Sequence, residues 1–335
     1  MKSKTKNFIS EAQIRNLVKV NFGDSCRVGS IKELKGGMFN CAYLIERMVE
    51  KDNIVLKVSI KPGTRTLTYE RDPMPTEVAV YQLIEEQTTV PVPKLLAYDF
   101  SKKHIESNYF FMTALEGISM NTVQKKMSKE NLAELKMELV GYMAQLHQIK
   151  GDYFGYFTKD PQCQFKTWKE AYLSMIRVLL EDGKRNGTKL PYERYEKVLK
   201  EKSGFLDAVQ EPSLVDYDLW AGNVFVKQQG ENYILEGIID FERAYWGDPL
   251  ADFGGSVMLL DKIYEEPELW STYSKKAGFG RELTREDQTR RAFYGLYIYT
   301  IMAAETFRYD FLYGQMQRAF AMKFVKKYLK LLEEA

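Results

Sequence analysis

Two acids and an amide stand out in the stretch from Leu214 to Phe253. Asp218 and Asn223 are spaced Asp-Leu-x-x-x-Asn, and Asp240 closes the apolar run Ile238-Ile239-Asp240-Phe241. These residue types suit phosphoryl transfer. One carboxylate can orient or deprotonate a hydroxyl nucleophile, while an amide oxygen and a second carboxylate hold Mg2+ on nucleotide phosphates. Mg2+ is a hard cation that takes oxygen ligands, and the reaction is largely positioning and charge neutralisation. Each piece alone is ordinary: an Asp five residues before an Asn arises by chance, and an Asp after an apolar run often marks a strand end. The order carries the argument. Asp218–Asn223 reads as a loop, Val224–Val226 as a strand, Gln228–Asn232 as a turn, and a second strand then delivers Asp240 beside the loop.

Other elements must bring phosphates to that loop. In Ile54-Val55-Leu56-Lys57-Val58 one Lys sits inside an apolar strand, where it is costly to bury unless paired. Glu77, at the start of a helical pattern carried by Val80, Leu83 and Ile84, is the expected partner, with Glu70 as fallback. An edge strand with Lys57 in solvent is the alternative. Gly36 and Gly37 separate two strand-like segments, Arg27–Lys35 and Asn40–Arg47. They allow close backbone approach to phosphate oxygens, although most Gly-Gly hairpins are ordinary turns. Asn53–Ser59, Lys94–Phe100 and Asn108–Leu115 complete an expected five-stranded antiparallel sheet, with Val90-Pro91-Val92-Pro93 as an extended connector.

The chain resembles the aminoglycoside phosphotransferase and choline kinase superfamily. That family writes H-G-D-L-x-x-x-N, then I-D-F/W-E, then G-D-P-x-x-D. Here the segments are Asp216-Tyr217-Asp218-Leu219 with Asn223, Ile239-Asp240-Phe241-Glu242, and Gly247-Asp248-Pro249 with Asp252. The departure is Asp216 in place of the family His. A carboxylate there would raise the pKa of Asp218 if the two approach; otherwise it points away and makes a backbone hydrogen bond. The resemblance implies an α+β, bilobal, protein-kinase-like fold. A nucleotide-binding N-lobe with an antiparallel five-stranded sheet and a helix would span 1–115. A mostly helical C-lobe with the catalytic loop and acceptor pocket would span 116–335. It implies ATP or GTP as phosphoryl donor, Asp218 as base or orienting group, and Mg2+ on Asn223 and Asp240. Gly36 and Gly37 would cover the phosphates, and Lys57, held by Glu77, would bind them. Phe111–Gly117 resembles the family hinge, so the backbones of Thr113 and Leu115 would meet the adenine. Asp252 would brace the catalytic loop, and Asp248 reads as an N-cap with Pro249 at the first helical position.

Helices are expected at Ser10–Val20, opened by the capping box Ser10-Glu11-Ala12-Gln13, and from Ser128, where Leu132, Leu135, Leu139 and Leu146 form an apolar stripe. Thr167 caps another running to about Glu181, and Pro191–Leu206 is a further one. The tail reads as Thr284–Tyr309, with Leu296, Tyr299, Ala303 and Phe307 on one side, and Gln315–Glu334, with Phe320, Phe324, Tyr328 and Leu331. Family C-terminal helices shape the acceptor pocket. Aromatics interspersed with Glu305, Asp310, Glu333 and Glu334 would suit a cationic acceptor; a core stripe with solvated acids is the plainer reading.

Composition narrows the field. The chain has 335 residues, 45% hydrophobic and 28% charged, which describes a globular protein large enough for two lobes. Lys+Arg number 48 against 46 Asp+Glu, so no charge excess argues for nucleic acid or an anionic membrane. Three dispersed cysteines suggest neither disulfides nor zinc and fit a cytoplasmic setting. The two histidines, His104 and His147, lie in no hydrolase or zinc motif, and His147, closing a helix, reads as structural. Met1–Lys6 is basic without the apolar region of a signal peptide, and no apolar run approaches the roughly 20 residues a membrane span needs. No Walker A pattern occurs. The expectation is therefore a small-molecule kinase, antibiotic-modifying or of a metabolic choline or sugar type. A nucleotide-binding pseudokinase is the alternative, and a protein kinase is disfavoured by the missing A-P-E segment after Asp240.

Overall fold

The computed structural model describes residues 5–35, 39–70, 73–255 and 257–335. The chain opens with helix α1, Glu11–Phe22, where Ser10 and Gln13 cap each other reciprocally. Strands β1 (Val28–Leu34), β2 (Cys41–Arg47) and β3 (Asp52–Val58) follow, then helix α2 (Pro73–Gln87), then β4 (Leu95–Asp99) and β5 (Tyr109–Thr113). They form one antiparallel sheet in the order β1-β2-β3-β5-β4. The expected five strands are all present, each within a residue or two of its expected ends. The outer face of the sheet packs on Ile14, Leu17 and Val18 of α1. Its inner face packs on Val78, Tyr81 and Ile84 of α2 and continues into the core of the second lobe. β3 is therefore covered on both faces along Ile54–Val58, which is why it reads as an unbroken apolar run.

The second lobe is mostly helical. Its helices are α3 (Lys129–Leu146), α4 (Trp168–Arg185), α5 (Tyr192–Lys202), α6 (Pro267–Lys276), α7 (Arg285–Ala304) and α8 (Phe311–Glu334). Short strands complete it. β6 (Ile118–Ser119) joins the hairpin of β9 (Val224–Gln229) and β10 (Asn232–Ile238), and β11 (Tyr245–Gly247) lies between β7 (Gly155–Tyr156) and β8 (Ser213–Val215). Together the two parts form a bilobal, protein-kinase-like α+β fold. Among the described residues no helix is long and apolar enough to cross a membrane, and Cys26, Cys41 and Cys163 are free thiols.

The tail differs from its sequence reading. α7 is buried on nearly every side rather than along one stripe, from Ala292 through Ile301, because α4, α8 and the 3-10 turn Pro249–Phe253 all pack on it. α8 begins at Phe311, capped by Asp310, and buries Ala321, Val325, Leu329 and Leu332. The aromatics Phe324 and Tyr328 flank that stripe and stack on Tyr299, at 4.4 and 5.8 Å between centroids. Small residues on the contact face let the two axes approach, and the rings fill the flanks.

Where α7 crosses the turn that carries Asp252, Gly254 meets Gly295. A Cβ on Gly295 would lie 2.4 Å from the Gly254 carbonyl oxygen and 2.3 Å from the Tyr328 ring. Gly295→Ala should cost about 1–3 kcal/mol through overpacking, read as a lower urea midpoint. An unchanged midpoint would show that α7 and the turn separate freely.

Candidate active site

The catalytic loop starts at the end of β8 and is held from beneath. Asp252 Oδ2 accepts the Asp216 N–H at 3.1 Å, and Oδ1 accepts the Tyr217 N–H at 2.5 Å. His147, at the C-terminal cap of α3, lies 2.8 Å from Asp252 through Nε2 and 2.7 Å from the Tyr273 hydroxyl through Nδ1. His147 is thus structural, as its position in sequence suggests, and its task is to fix Asp252. Tyr217 sits at φ 60°, a region that bulky side chains rarely adopt. Its hydroxyl donates to the Tyr294 carbonyl at 2.6 Å, which locks the turn. Asp248 caps the following turn through the Leu250 N–H at 3.0 Å, as expected, and also accepts from Arg290 Nε at 2.9 Å and Tyr294 at 2.6 Å. The helix it opens is a 3-10 turn rather than an α-helix.

The loop and the hairpin converge. Asn223 Nδ2 donates to the Asp218 carbonyl at 3.0 Å and reaches its Oδ2 at 3.3 Å. The Ile239 N–H donates to the Asn223 carbonyl at 2.9 Å, so the residue before Asp240 is stitched to the end of the loop. Asp240, at φ 73°, lies 2.7 Å from Lys57 Nζ, and Glu77 Oε2 lies at the same distance on the opposite lobe's helix. Glu242 Oε2 stands 3.7 Å from the same ammonium and accepts Asn40 Nδ2 at 2.7 Å. The Lys57–Glu77 pair is present and Lys57 is buried, so the solvent-facing edge-strand reading is wrong. Glu70 is not its partner; it pairs with Arg308 at 2.5 Å.

Charge is out of balance here. Glu77, Asp240 and Glu242 place oxygens within 4.8 Å of one another around one ammonium. Burial disfavours the charge on Lys57, but Asp240, Glu77 and Glu242 outweigh it and hold its pKa well above the usual value. Burial pushes Glu77 up to about 7 despite Lys57, with Asp240 adding to the rise. Burial and Asp240 likewise push Glu242 well up. Glu77 Oε1 is buried without a hydrogen-bond partner. An all-oxygen set with excess negative charge fits a hard divalent cation, and the side-chain Oδ1 of Asn223 accepts no hydrogen bond among the described residues, while its Nδ2 is turned to Asp218.

Asp218 is half-buried. Burial raises its pKa to about 7, with Arg243 pulling it down and Asp240 pushing it up. Asp216 is buried and takes a backbone hydrogen bond from Asp218, in line with its sequence reading, and its own pKa is pushed well up by burial and by Asp252, Asp218 and Asp240. The strand end and Asp252 enclose it, leaving its Oδ1 without a partner. A separate cleft of about 370 Å3, lined by Ser59, Lys61, Lys102 and Arg185 among others, contains none of these groups.

Comparison with known proteins matches this arrangement to one family. A profile described as the phosphotransferase enzyme family (APH) covers residues 31–286. The chain belongs to that family. Among solved structures, a Ralstonia eutropha JMP134 protein provisionally described as an aminoglycoside phosphotransferase is 14% identical. It aligns over 97% of this chain and 99% of its own, with a TM-score of 0.65. ADP-bound aminoglycoside phosphotransferase APH(2'')-Ib is 15% identical over 96% and 99%, with a TM-score of 0.61. A thermostable APH(4)-Ia mutant bound to ADP and hygromycin B is 16% identical over 95% and 97%, with a TM-score of 0.59. At these identities the likeness is one of fold. No curated protein matched in the sequence search.

Several expectations about this phosphotransferase are refined. Gly36 and Gly37 lie outside the described residues. The Thr113 N–H donates to the Lys94 carbonyl at 2.9 Å, so only its carbonyl could serve a nucleotide. Leu115 packs within 3.2 Å of the Cβ position of Gly237. Beyond it, Glu236 accepts the Glu116 and Gly117 N–H groups at 2.9 and 2.6 Å and holds the hinge on β10. The acids considered for a cationic acceptor are engaged elsewhere. Asp310 caps α8, Glu333 pairs with Arg194 at 2.8 Å and Glu334 with Lys330 at 3.6 Å. Glu305 faces Arg243 at 3.7 Å and Arg308 at 3.8 Å. Sequence reasoning missed Arg243 and Arg308. Arg243 follows Asp240-Phe241-Glu242 directly, which was the available signal; Arg308 carried none.

The raised carboxyls make stability depend on pH. Glu77 and Asp218 titrate near 7 when folded, above their ordinary 4.5 and 3.8. Between those values the folded chain binds more protons than the unfolded one, so stability falls as pH rises from about 5 to about 8. In Mg2+-free buffer the urea midpoint should drop across that window, and Asp218→Asn should flatten the drop. A midpoint that climbs with pH, or the same slope in the variant, contradicts this electrostatic account.

Proposed function

We propose that this phosphotransferase moves the γ-phosphoryl group of ATP or GTP to a hydroxyl of a small molecule. The observation that carries the reading is the junction of Asn223 on Asp218, with Asp240 on Lys57 and Lys57 on Glu77. It joins a loop, a hairpin, a strand and a helix at one point between the two parts of the chain. Residues 1–115 would form the nucleotide lobe and 116–335 the catalytic and acceptor lobe.

In this reading Lys57, released from Asp240, binds phosphate oxygens while Glu77 keeps it in place. Asn223 and Asp240 would hold Mg2+, with Glu242 as a third carboxylate in reach. Mg2+ supplies neutralisation of the phosphate charge. The Thr113 carbonyl and Leu115 N–H would meet the purine edge, and Gly36 and Gly37 would close over the phosphates. Asp218 accepts a hydrogen bond from the acceptor hydroxyl, aims its oxygen at the γ-phosphorus and takes up its proton. The new O–P bond forms as the bond to the β-phosphate bridging oxygen breaks, and the diphosphate leaves. The relatives crystallised with ADP and with hygromycin B agree with a nucleotide donor and a hydroxylated acceptor.

The buried Asp216 favours a second reading, nucleotide binding without transfer, because it stands where the family writes the His that braces the catalytic loop. Turnover separates the two. Asp218→Ala should reduce acceptor-dependent ADP release by roughly 10²–10⁴-fold while leaving ATP affinity largely intact by calorimetry. Equal turnover in wild type and variant rejects the role of Asp218. Nucleotide binding without ADP release for any acceptor selects the second reading.

A further inference from the structure

The loop that follows β3 does not stay in its own lobe. Thr68 donates from its N–H and hydroxyl to Asp182 of α4 at 2.5 and 2.7 Å. The Tyr69 ring stacks on Tyr156 at 5.6 Å and 11°. Glu70 accepts the Leu67 N–H at 2.9 Å and pairs with Arg308. These anchors fix Tyr69 beside Arg243 and Arg308, and there the polar groups run out of partners. Among the described residues, the Tyr69 hydroxyl, Arg308 Nε and Glu305 Oε2 are all buried without a hydrogen bond. Arg308 and Glu305 are each only 4% exposed. The Arg243 guanidinium has an ion contact to Glu305 at 3.7 Å and, among the described residues, no hydrogen bond. Buried polar groups are normally satisfied, so several orphans around one point mark a site completed by a ligand.

We infer that these groups form the acceptor subsite of the proposed phosphotransferase, and that it takes a polyhydroxylated compound presenting oxygen atoms rather than ammonium groups. The inference rests on the phosphoryl-transfer reading and deepens it. The unused capacity is mostly N–H and O–H donation: the fork of Arg243, Nε of Arg308 and the hydroxyl of Tyr69. Glu305 Oε2 is the one unused carboxylate oxygen, and two guanidiniums face it. Its other oxygen already accepts Gln317 Nε2 at 2.8 Å and the Tyr309 hydroxyl at 3.3 Å. An ammonium group would meet two like charges and little free acceptor capacity. Hydroxyls match the set, and a carboxylate would match the planar fork of Arg243 in two places. Arg243 lies three residues after Asp240, which meets Lys57, and the preceding Ile239 N–H is bonded to the Asn223 carbonyl at the end of the Asp218 loop, so the subsite begins where the loop and hairpin meet.

The test is calorimetric binding to the full chain with Mg2+ and a non-hydrolysable ATP analogue present. The probes are glucose, myo-inositol, gluconate and glycerate on one side and gentamicin on the other. The hydroxylated probes, with gluconate or glycerate tightest, should bind more strongly than gentamicin. Arg243→Gln should weaken the best of them about tenfold or more, and Tyr69→Phe should weaken it with the fold untouched. Arg243→Lys, which keeps the charge without the fork, should resemble Arg243→Gln for a carboxylate probe. The inference is overturned if gentamicin is the best ligand, if no hydroxylated probe binds, or if Arg243→Gln and Tyr69→Phe both leave affinity unchanged. None of these outcomes needs turnover. Failure of the phosphotransfer reading would show separately, as no binding of the ATP analogue or as ADP release indifferent to Asp218→Ala.

Discussion

One ammonium group is asked to balance three carboxylates. Lys57 comes from the sheet, Glu77 from the helix above it, and Asp240 and Glu242 from the hairpin of the other lobe. A buried Lys in an apolar strand is tolerable only when paired, so the strand fixes where α2 and the hairpin must come. The converse also holds. Three carboxylates cannot stay charged around one Lys without a further cation or a proton, and the raised pKa values of Glu77 and Glu242 express that strain. The site is thus held together by an interaction that is left unbalanced, and a divalent cation with bound phosphates is the kind of ligand that resolves it.

The catalytic loop is built on a second, quieter constraint. Tyr217 and Asp240 both have left-handed backbone conformations, φ 60° and 73°, which non-glycine residues adopt only when their surroundings over-determine them. Asp252 supplies that over-determination for Tyr217, with His147 and Tyr273 behind it. Lys57 and the Tyr81 hydroxyl, which accepts the Asp240 N–H at 3.3 Å, do so for Asp240. The surrounding aromatic core makes these anchors stiff. Trp168 stacks on Tyr245 at 5.6 Å and donates to the Tyr294 hydroxyl, which in turn donates to Asp248. The strain of the loop and the rigidity of its bed are two sides of one arrangement.

Legibility in the sequence followed the range of the interactions. Local ones could be read. Ser10 with Gln13, Thr284 at the head of α7, and the apolar run around Lys57 announced elements whose ends fell within a few residues of expectation. α8 shows where this stops. Phe320, Phe324 and Tyr328 are the largest apolar residues at helical spacing, yet the buried stripe runs through Ala321, Val325 and Leu329. Side-chain size does not reveal which face another helix will approach. α6 went unseen because Pro267–Lys276 carries only a short stripe, Leu269, Trp270 and Tyr273.

For the site, the sequence alone supplied the candidate residue types: Asp218 and Asn223 on a loop, Asp240 at the end of the hairpin that follows, and Lys57 with a helical Glu within reach. Chain connectivity forces those neighbours together, so spacing suffices to find them. Only the tertiary structure decided what surrounds Asp218. Tyr69, Arg243 and the turn from Glu305 to Arg308 lie far apart in the chain, and their polar groups matter only at the few ångströms that packing imposes. Asp216 is buried with its backbone hydrogen bond, and Glu305, Asp310, Glu333 and Glu334 are engaged within the chain. Coulombic energy depends on distance and burial, and neither quantity is written in the order of residues.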